Sequence, residues 1–327
     1  MPRNLIREMQ HQAAVSGRPH AMPMPEHQPL TTLTLGDFLR CEFPPREMML
    51  APWLPAKGLA MVFAPRGVGK THFALGAAYA VASGGRFLRW QAPRPRKVLL
   101  IDGEMPAQVL QERLSEIAAR SGNGVGVEDQ IRILAADLCP RGLPDLSTVE
   151  GQRELEPLLG DAELVAVDNI STVCRSGKEN EAESWSVTQD WALGQRRVGR
   201  TVLSVHHAGK GGEQRGTSRR EDVMDSVVRL SQPDDYCAAD GARFIVSFTK
   251  SRGFAGHDAD PFEAELRDGD WTVRDLEDER IVQAAVLASQ GMTQKRVAET
   301  LGVSGATANR LLKRHRERES GGAVGMG

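Results

Sequence analysis

The chain predicts an α/β fold, a mainly parallel central sheet flanked by helices, followed by a small C-terminal helix-turn-helix domain. Three observations carry this. Continuous apolar runs at Leu59–Ala64, Val98–Ile101, Leu164–Val167 and Thr201–Val205 alternate with segments of helical composition, the pattern of parallel strands buried on both faces. The first run passes into Ala64-Pro-Arg-Gly-Val-Gly-Lys-Thr71 and then a small apolar segment, in the order strand, glycine-rich loop, helix. Beyond the charged run Arg274–Arg280 the chain changes character, to short helices punctuated by a turn at Gly302.

The loop at Ala64–Thr71 has the Gly-x-x-x-x-Gly-Lys-Thr pattern of a phosphate-binding P-loop, with Ala64 at the first glycine position. An alanine serves there where φ is negative, since only a methyl group is added. Pro65 has no N–H to offer, and the backbone of Arg66, Gly67, Val68 and Gly69 is expected to curl into an anion nest. The helix that follows, from about His72 to Ala82, points its N-terminus at the bound phosphates. Lys70 reaches the β and γ oxygens of ATP, and the Thr71 hydroxyl binds Mg²⁺.

The remaining strand ends supply the other candidates. Val98–Ile101 runs into Asp102-Gly103-Glu104, carboxylates expected at the C-terminal end of a strand beside the P-loop strand. Glu104 is the candidate for activating water on the γ-phosphate; Asp102 is either structural or a contact to metal through water. A helix is expected over Ala107–Arg120, a short strand over Ile131–Ala135 and another helix from about Glu150 to Leu159. The run Ala162–Val167 ends in Asp168, a Walker B aspartate that would hold Mg²⁺ through water. A helix ending at Arg197 carries Trp185 and Trp191, read as packing residues. The strand ending at Val205 leads to His206-His207, either of which can sense the γ-phosphate by hydrogen bonding; adjacent positions on a strand face opposite ways, which argues against a two-histidine metal site.

Residues 208–220 are glycine-rich and basic, with Lys210, Arg215, Arg219 and Arg220. A positive loop beside the sensor suits a nucleic-acid backbone. Lys250 and Arg252 follow a further strand, at what reads as the tip of an edge element, and either suits a finger reaching a neighbouring subunit. Phe262–Leu266 and Trp271–Val273 form a hairpin closing the domain. In the helix-turn-helix, Thr293 and Ser304 cap the two helices, and the second presents Asn309, Arg310, Lys313 and Arg314. Residues 281–319 carry seven Lys/Arg against three Glu, a local charge of +4, which fits phosphate contact.

Composition bounds the partners. The chain has 327 residues, with 41 Lys/Arg against 43 Asp/Glu and a formal charge of −2, so contact with nucleic acid must come from local patches. Cys41, Cys139, Cys174 and Cys237 lie far apart, as reduced thiols of a cytoplasmic protein do. No run reaches membrane-span length and the N-terminus lacks a signal-peptide core, so no membrane partner is expected. The expected organisation is a flexible polar arm at 1–30, the core at 31–275, the helix-turn-helix domain at 281–319 and a disordered tail at 320–327. Residues 31–58 read as a lead-in that packs on the core, with an apolar residue there covering one adenine face.

Taken together, Ala64–Thr71, Leu100–Glu104, Leu164–Asp168, Ser204-Val-His-His-Ala-Gly-Lys210, Arg215-Gly-Thr-Ser218 and Phe248-Thr-Lys-Ser-Arg252 carry a resemblance. Over about residues 50–275 the chain resembles the RecA-type ring ATPases. Within them it is most similar to the hexameric replicative helicase of small mobilisable broad-host-range plasmids and its phage and chromosomal relatives. The resemblance implies a RecA-like P-loop core and a homo-oligomer, a six-membered ring around single-stranded DNA. It assigns Lys70 and Thr71 to phosphate and Mg²⁺, Glu104 to catalysis, Asp168 to Walker B, His207 to the sensor, and Arg252 or Lys250 to the trans-acting finger. The polar arm and the helix-turn-helix depart from that pattern. The latter adds duplex DNA as a partner and opens the alternative of a nucleotide-controlled DNA-binding or recombination accessory ATPase that does not unwind.

Overall fold

A computed structural model describes residues 32–121, 126–175, 182–208 and 221–322. The chain divides into two compact units, Met1–Arg46 and Glu47–Gly327. In the first, the described residues form helix α1 (Leu35–Leu39), capped by the Thr34 hydroxyl, which accepts from the Asp37 N–H at 3.1 Å. Leu33, Leu35, Phe38, Leu39 and Phe43 are exposed.

The second unit opens with two short strands, β1 (Met48–Leu50) and β2 (Leu54–Pro55), then β3 (Leu59–Ala64), helix α2 (Lys70–Ser83), the small hairpin β4 (Arg86–Phe87) and β5 (Trp90–Gln91), β6 (Val98–Asp102) and α3 (Ala107–Arg120). There follow β7 (Ile131–Ala135), α4 (Val149–Leu159), β8 (Leu164–Asp168), α5 (Ile170–Val173), α6 (Ala182–Arg197) and β9 (Thr201–His207). The remainder is β10 (Ser226–Ser231), β11 (Arg243–Ser251), β12 (Phe262–Arg267), β13 (Asp270–Asp275), α7 (Leu276–Ser289), α8 (Gln294–Thr300) and α9 (Gly305–Gly322).

One sheet organises the core, in the order β13-β12-β11-β10-β3-β9-β8-β6-β7. The strands from β10 to β7 run parallel, and β11, β12 and β13 extend the sheet as an antiparallel meander. Alternation along each parallel strand feeds two cores, because successive side chains leave opposite faces. Ala60, Val62, Val98, Leu100, Leu164 and Ala166 pack with α2 and α3. Leu59, Met61, Phe63, Leu99, Ile101, Val165 and Val167 pack with α4, α5 and α6. Trp185 and Trp191 of α6 are buried in that second cluster.

Two sequence expectations about neighbours are corrected. β6 does not lie beside the P-loop strand: β9 and β8 stand between them. Nor is β11 an edge strand. Arg243–Val246 pair with β12, and only the stretch beyond, which carries Lys250 and Arg252 at its end, pairs on one side alone, with β10. Both errors have one cause, since strand order depends on non-local packing that an apolar run does not encode.

On the α2 face the core is aromatic. The Phe73 ring stands edge-on to Phe87 at 5.3 Å and to Trp90 at 5.7 Å, and 5.8 Å from Trp53, geometries that suit the ring quadrupoles. Met49, Leu50, Trp53 and Leu54 of the lead-in segment are buried here. The C-terminal helices enclose a core of their own, built from Ile281, Ala284, Val297, Ala298, Ala308 and Leu311. Thr293 caps α8 by accepting from the Arg296 N–H, and the Ser304 hydroxyl accepts from the Thr307 N–H at 3.1 Å. Among the described residues no helix is long and apolar enough to cross a membrane, and the four cysteines are free.

Replacing Phe73 with alanine empties the centre of the aromatic cluster. Phe73→Ala is expected to lower stability by about 3–5 kcal/mol in denaturant titrations, and Phe73→Leu by roughly 1.5 kcal/mol or less.

Candidate nucleotide site

The loop between β3 and α2 is shaped by two glycines in left-handed backbone, Gly67 at φ +80° and Gly69 at φ +109°. Gly69 is fixed twice over, because a Cβ there would also lie 3.0 Å from the Phe244 ring. Gly69 is the N-cap of α2 and supplies no side-chain cap, so the helix N-terminus is left for an anion. Ala64 lies at the end of β3, paired with His207, fully buried and outside the positive-φ positions. That is the backbone condition under which its methyl group is tolerated. The Lys70 ammonium folds back onto the loop, donating to the carbonyls of Ala64 at 3.1 Å and Pro65 at 2.8 Å. Burial pulls its pKa below the usual lysine value against the attraction of Asp168 and Glu104.

A cleft of about 520 Å³ opens over this loop. Arg66, Gly67, Gly69, Lys70, Thr71 and His72 form its floor, and Glu104, Asp168 and His207 stand to one side. The sequence candidates from four separate segments are thus brought together. Asp168 is 4 % exposed at the end of β8, hydrogen-bonded to the Thr71 side chain. Its Oδ2 is buried without a hydrogen-bond partner among the described residues. Burial, reinforced by the nearby Asp102 and Glu104 carboxylates, raises its pKa to about 6. An orphaned carboxylate oxygen beside a hydroxyl is an all-oxygen donor set, which fits a hard divalent cation such as Mg²⁺. His72 at the start of α2 is pushed down to about 4, chiefly by burial and then by Arg113, so it is neutral at pH 7.

Glu104 reaches the cleft although its strand is three places from β3. Asp102 explains how. Its Oδ1 accepts from the N–H groups of Glu104 at 3.0 Å and Met105 at 2.7 Å, and the Gly103 N–H donates to the Asp168 carbonyl at 2.7 Å. Of the two readings of Asp102, this turn supports the structural one. The turn leaves no room at Gly103, where a Cβ would sit 1.9 Å from Thr172 Oγ1. Glu104 Oε1 lies 3.2 Å from His207 Nε2, which is itself 3.2 Å from Asn169 Nδ2. Burial opposes ionisation of Glu104, but hydrogen bonds from Asn169 and His207 and the charge of Lys70 together hold its pKa below the ordinary glutamate value. One Nε2 cannot both donate to Glu104 and accept from the Asn169 amide, so the tautomer of His207 decides which of the two contacts is a hydrogen bond. Of the two histidines only His207 lines the cleft; His206 is fully buried.

Other candidates lie elsewhere. Lys250 donates its ammonium to the carbonyls of Glu221 and Asp222 of its own chain. Arg252 is exposed, and its side chain has no ion-pair partner among the described residues. Neither lines the cleft. Lys210, Arg215, Arg219 and Arg220 fall outside the described residues. On α9, Asn309, Arg310 and Lys313 are exposed and Arg314 is half-buried. Trp53, Leu54 and their neighbours are buried under α2 and do not line the cleft. Conversely, the sequence reading passed over Asn169, Arg113 and the pair Gly241–Ala242 as site residues, and the cleft or its hydrogen bonds include all of them. Asn169 had a signal in its position directly after Asp168; Gly241–Ala242 had none. Among the described residues no group of three or more His, Cys, Asp or Glu could hold a metal ion by itself.

Comparison with known proteins gives the family. The model of the AAA domain family matches residues 24–213, more than half of the chain, and that of the homeodomain-like domain matches residues 275–324. The chain belongs to the AAA domain family: an α/β P-loop ATPase core of RecA-like type, to which a small helix-turn-helix domain is attached. No curated protein matches it. Among solved structures it is similar to a KaiC-like protein from the hyperthermophilic archaeon Pyrococcus horikoshii OT3, at 15 % identity and a TM-score of 0.48, over 67 % of this chain and 90 % of that one.

Two predictions follow from the buried carboxylate and the tight turn. The folded-state pKa of Asp168 exceeds its unfolded value, so the folded chain holds the extra proton between about pH 4 and 6 and loses stability as pH rises through that window. Above it the ionised carboxylate costs about 3 kcal/mol. Asp168→Asn removes that charge, so its melting temperature at pH 8 is expected to exceed the native value by about 5 °C, with the difference gone at pH 4. In Gly103→Ala the methyl group must displace Thr172 and with it Glu104; nucleotide-binding calorimetry with ATP should change little while turnover falls about tenfold or more.

Proposed function

We propose that this chain is a nucleotide-controlled DNA-binding ATPase, of the recombination accessory or regulatory kind, which hydrolyses ATP without productive unwinding. The observation that carries the reading is the union, in one chain, of a P-loop cleft holding Glu104, Asp168 and His207 with a homeodomain-like helix-turn-helix. In this reading the P-loop amides and the N-terminus of α2 cradle the phosphates, and Lys70 leaves its carbonyl partners to neutralise the β and γ oxygens. Thr71, and Asp168 through water, would hold Mg²⁺, which supplies charge neutralisation on the same oxygens. Glu104 orients the attacking water and takes its proton on the carboxylate. His207, whose Nε2 lies 3.2 Å from Glu104, reports the γ-phosphate to the basic residues Lys210, Arg215, Arg219 and Arg220 that follow in the chain. On α9 the exposed Asn309, Arg310 and Lys313, with Arg314, would contact duplex DNA.

A second reading, a hexameric replicative helicase on single-stranded DNA, is favoured by one observation: Arg252 is exposed at the end of β11 without an ion-pair partner among the described residues, as a finger acting on a neighbour must be. Lys250, held by its own chain, is the weaker candidate.

The test combines ATPase assays with and without single-stranded or duplex DNA, strand displacement from a forked substrate, and light scattering with an ATP analogue. DNA-stimulated hydrolysis abolished by Lys70→Ala, without displacement, is expected; ATP-dependent displacement by a ring would replace this reading with the second.

A further inference from the structure

The cleft has two walls, and only one of them carries hydrolytic groups. Relative to the P-loop strand, His207, Asp168 and Glu104 all belong to the β9-β8-β6 side of the sheet, and Gly241–Ala242 belong to the β10-β11 side. A nucleotide whose γ-phosphate faces Glu104 must run its nucleoside end the other way, toward Gly241–Ala242. Glycine has no side chain and alanine only a methyl group, so that wall has no polar side chain with which to hold it and acts through its placement.

That placement is set from behind by one side chain. Arg243, 8 % exposed, commits its whole guanidinium to three carboxylates. Nε donates to Glu263 Oε1 at 2.7 Å, Nη1 to Asp240 Oδ2 at 2.9 Å, and Nη2 to both oxygens of Asp235 at 2.8 and 3.0 Å. Glu263 is buried on β12 and held a second time by Arg274 at 2.9 Å, so the guanidinium is anchored in the sheet. From there it grips both ends of the turn before β11. Asp240 in turn accepts from the Cys237 N–H and thiol at 3.1 Å each, and the Tyr236 hydroxyl donates to the Gly241 carbonyl at 3.2 Å. The next residue, Phe244, lies under Gly69. One short stretch of β11 therefore supports the floor of the cleft with one side chain and its far wall with the other.

We infer that Arg243 is a positioning residue for the nucleoside end of the bound nucleotide, holding Gly241–Ala242 at the distance that encloses ribose and base through its clamp on Asp235, Asp240 and Glu263. The inference rests on the reading of the cleft as an ATP site. It separates two parts of the ligand: the P-loop binds the polyphosphate, and the Arg243 clamp governs only what is attached to it. Bidentate and multiply charge-assisted contacts of this kind confer geometric precision, and displaced walls cost affinity because the ligand must then order them on binding.

Calorimetry on the full chain distinguishes these parts, with ATP, ADP and inorganic tripolyphosphate as separate probes. Arg243→Ala leaves the buried Glu263 with Arg274 as its one remaining partner and puts folding at risk, so Asp240→Ala, which leaves the Arg243–Glu263 pair in place, is the deciding variant. Asp240→Ala is expected to weaken ATP and ADP alike by about tenfold, to show the loss of hydrolysis in KM, and to bind tripolyphosphate within about twofold of the native chain. Arg243→Lys, with one charge and no fork, should fall between. Native affinity for ATP and ADP in Asp240→Ala overturns the inference, as does an equal loss for tripolyphosphate, which would mark general damage to the site. If the native chain itself binds neither ATP nor ADP, the ATP reading fails first.

Discussion

The carboxylate of Asp168 is buried at the end of a parallel strand with the Thr71 side chain as a hydrogen-bond partner and one oxygen left bare. Such a group is unfavourable in an empty protein and favourable beside a cation, and much of the cleft is arranged around it. Thr71 stands next to it because α2 begins directly after the P-loop. Lys70 lies close enough to feel its charge. The turn that carries Glu104 is tied to the Asp168 backbone through the Gly103 N–H. Stability given up at this position is the ordinary cost of a site built to hold charge.

Sheet topology converts that local constraint into a two-sided cleft. The parallel strands end on the same side of the sheet, so the residues after them converge over the P-loop. On one side they bring Glu104, Asn169 and His207 into contact, with Asp168 lining the same cleft. On the other, the antiparallel extension brings a wall without functional side chains, fixed by an ion network that the parallel part of the sheet could not supply. The aromatic cluster around Phe73 joins these halves, since Phe244 packs 6.3 Å from Phe73 and also beneath Gly69. The C-terminal helices, with a core of their own, attach directly after β13 and bring a basic helix to a chain whose formal charge is −2 overall.

Much of this site was legible in the sequence because its chemistry sits at the ends of apolar runs. Lys70 and Thr71 follow one such run, Glu104 another, Asp168 a third and His207 a fourth. The choice between His206 and His207 was not legible, and the structure separates them by burial. Gly241–Ala242 and Arg243 were not legible either. A glycine, an alanine and an arginine at the start of a strand have no distinctive pattern, and their relation to the cleft depends on β10 lying next to β3.

The sequence by itself determined the element types, the P-loop with its tolerated alanine, and the residues that end each buried strand, because those follow from local backbone preference and from the periodicity of burial. Only the tertiary structure decided which strand ends are neighbours: that β9 and β8 separate β6 from β3, that Glu104 meets His207 across them, and that β11 is interior along its first half. The reason is physical. Strand order is chosen by packing between segments distant in sequence, and no single segment carries the energy of that choice.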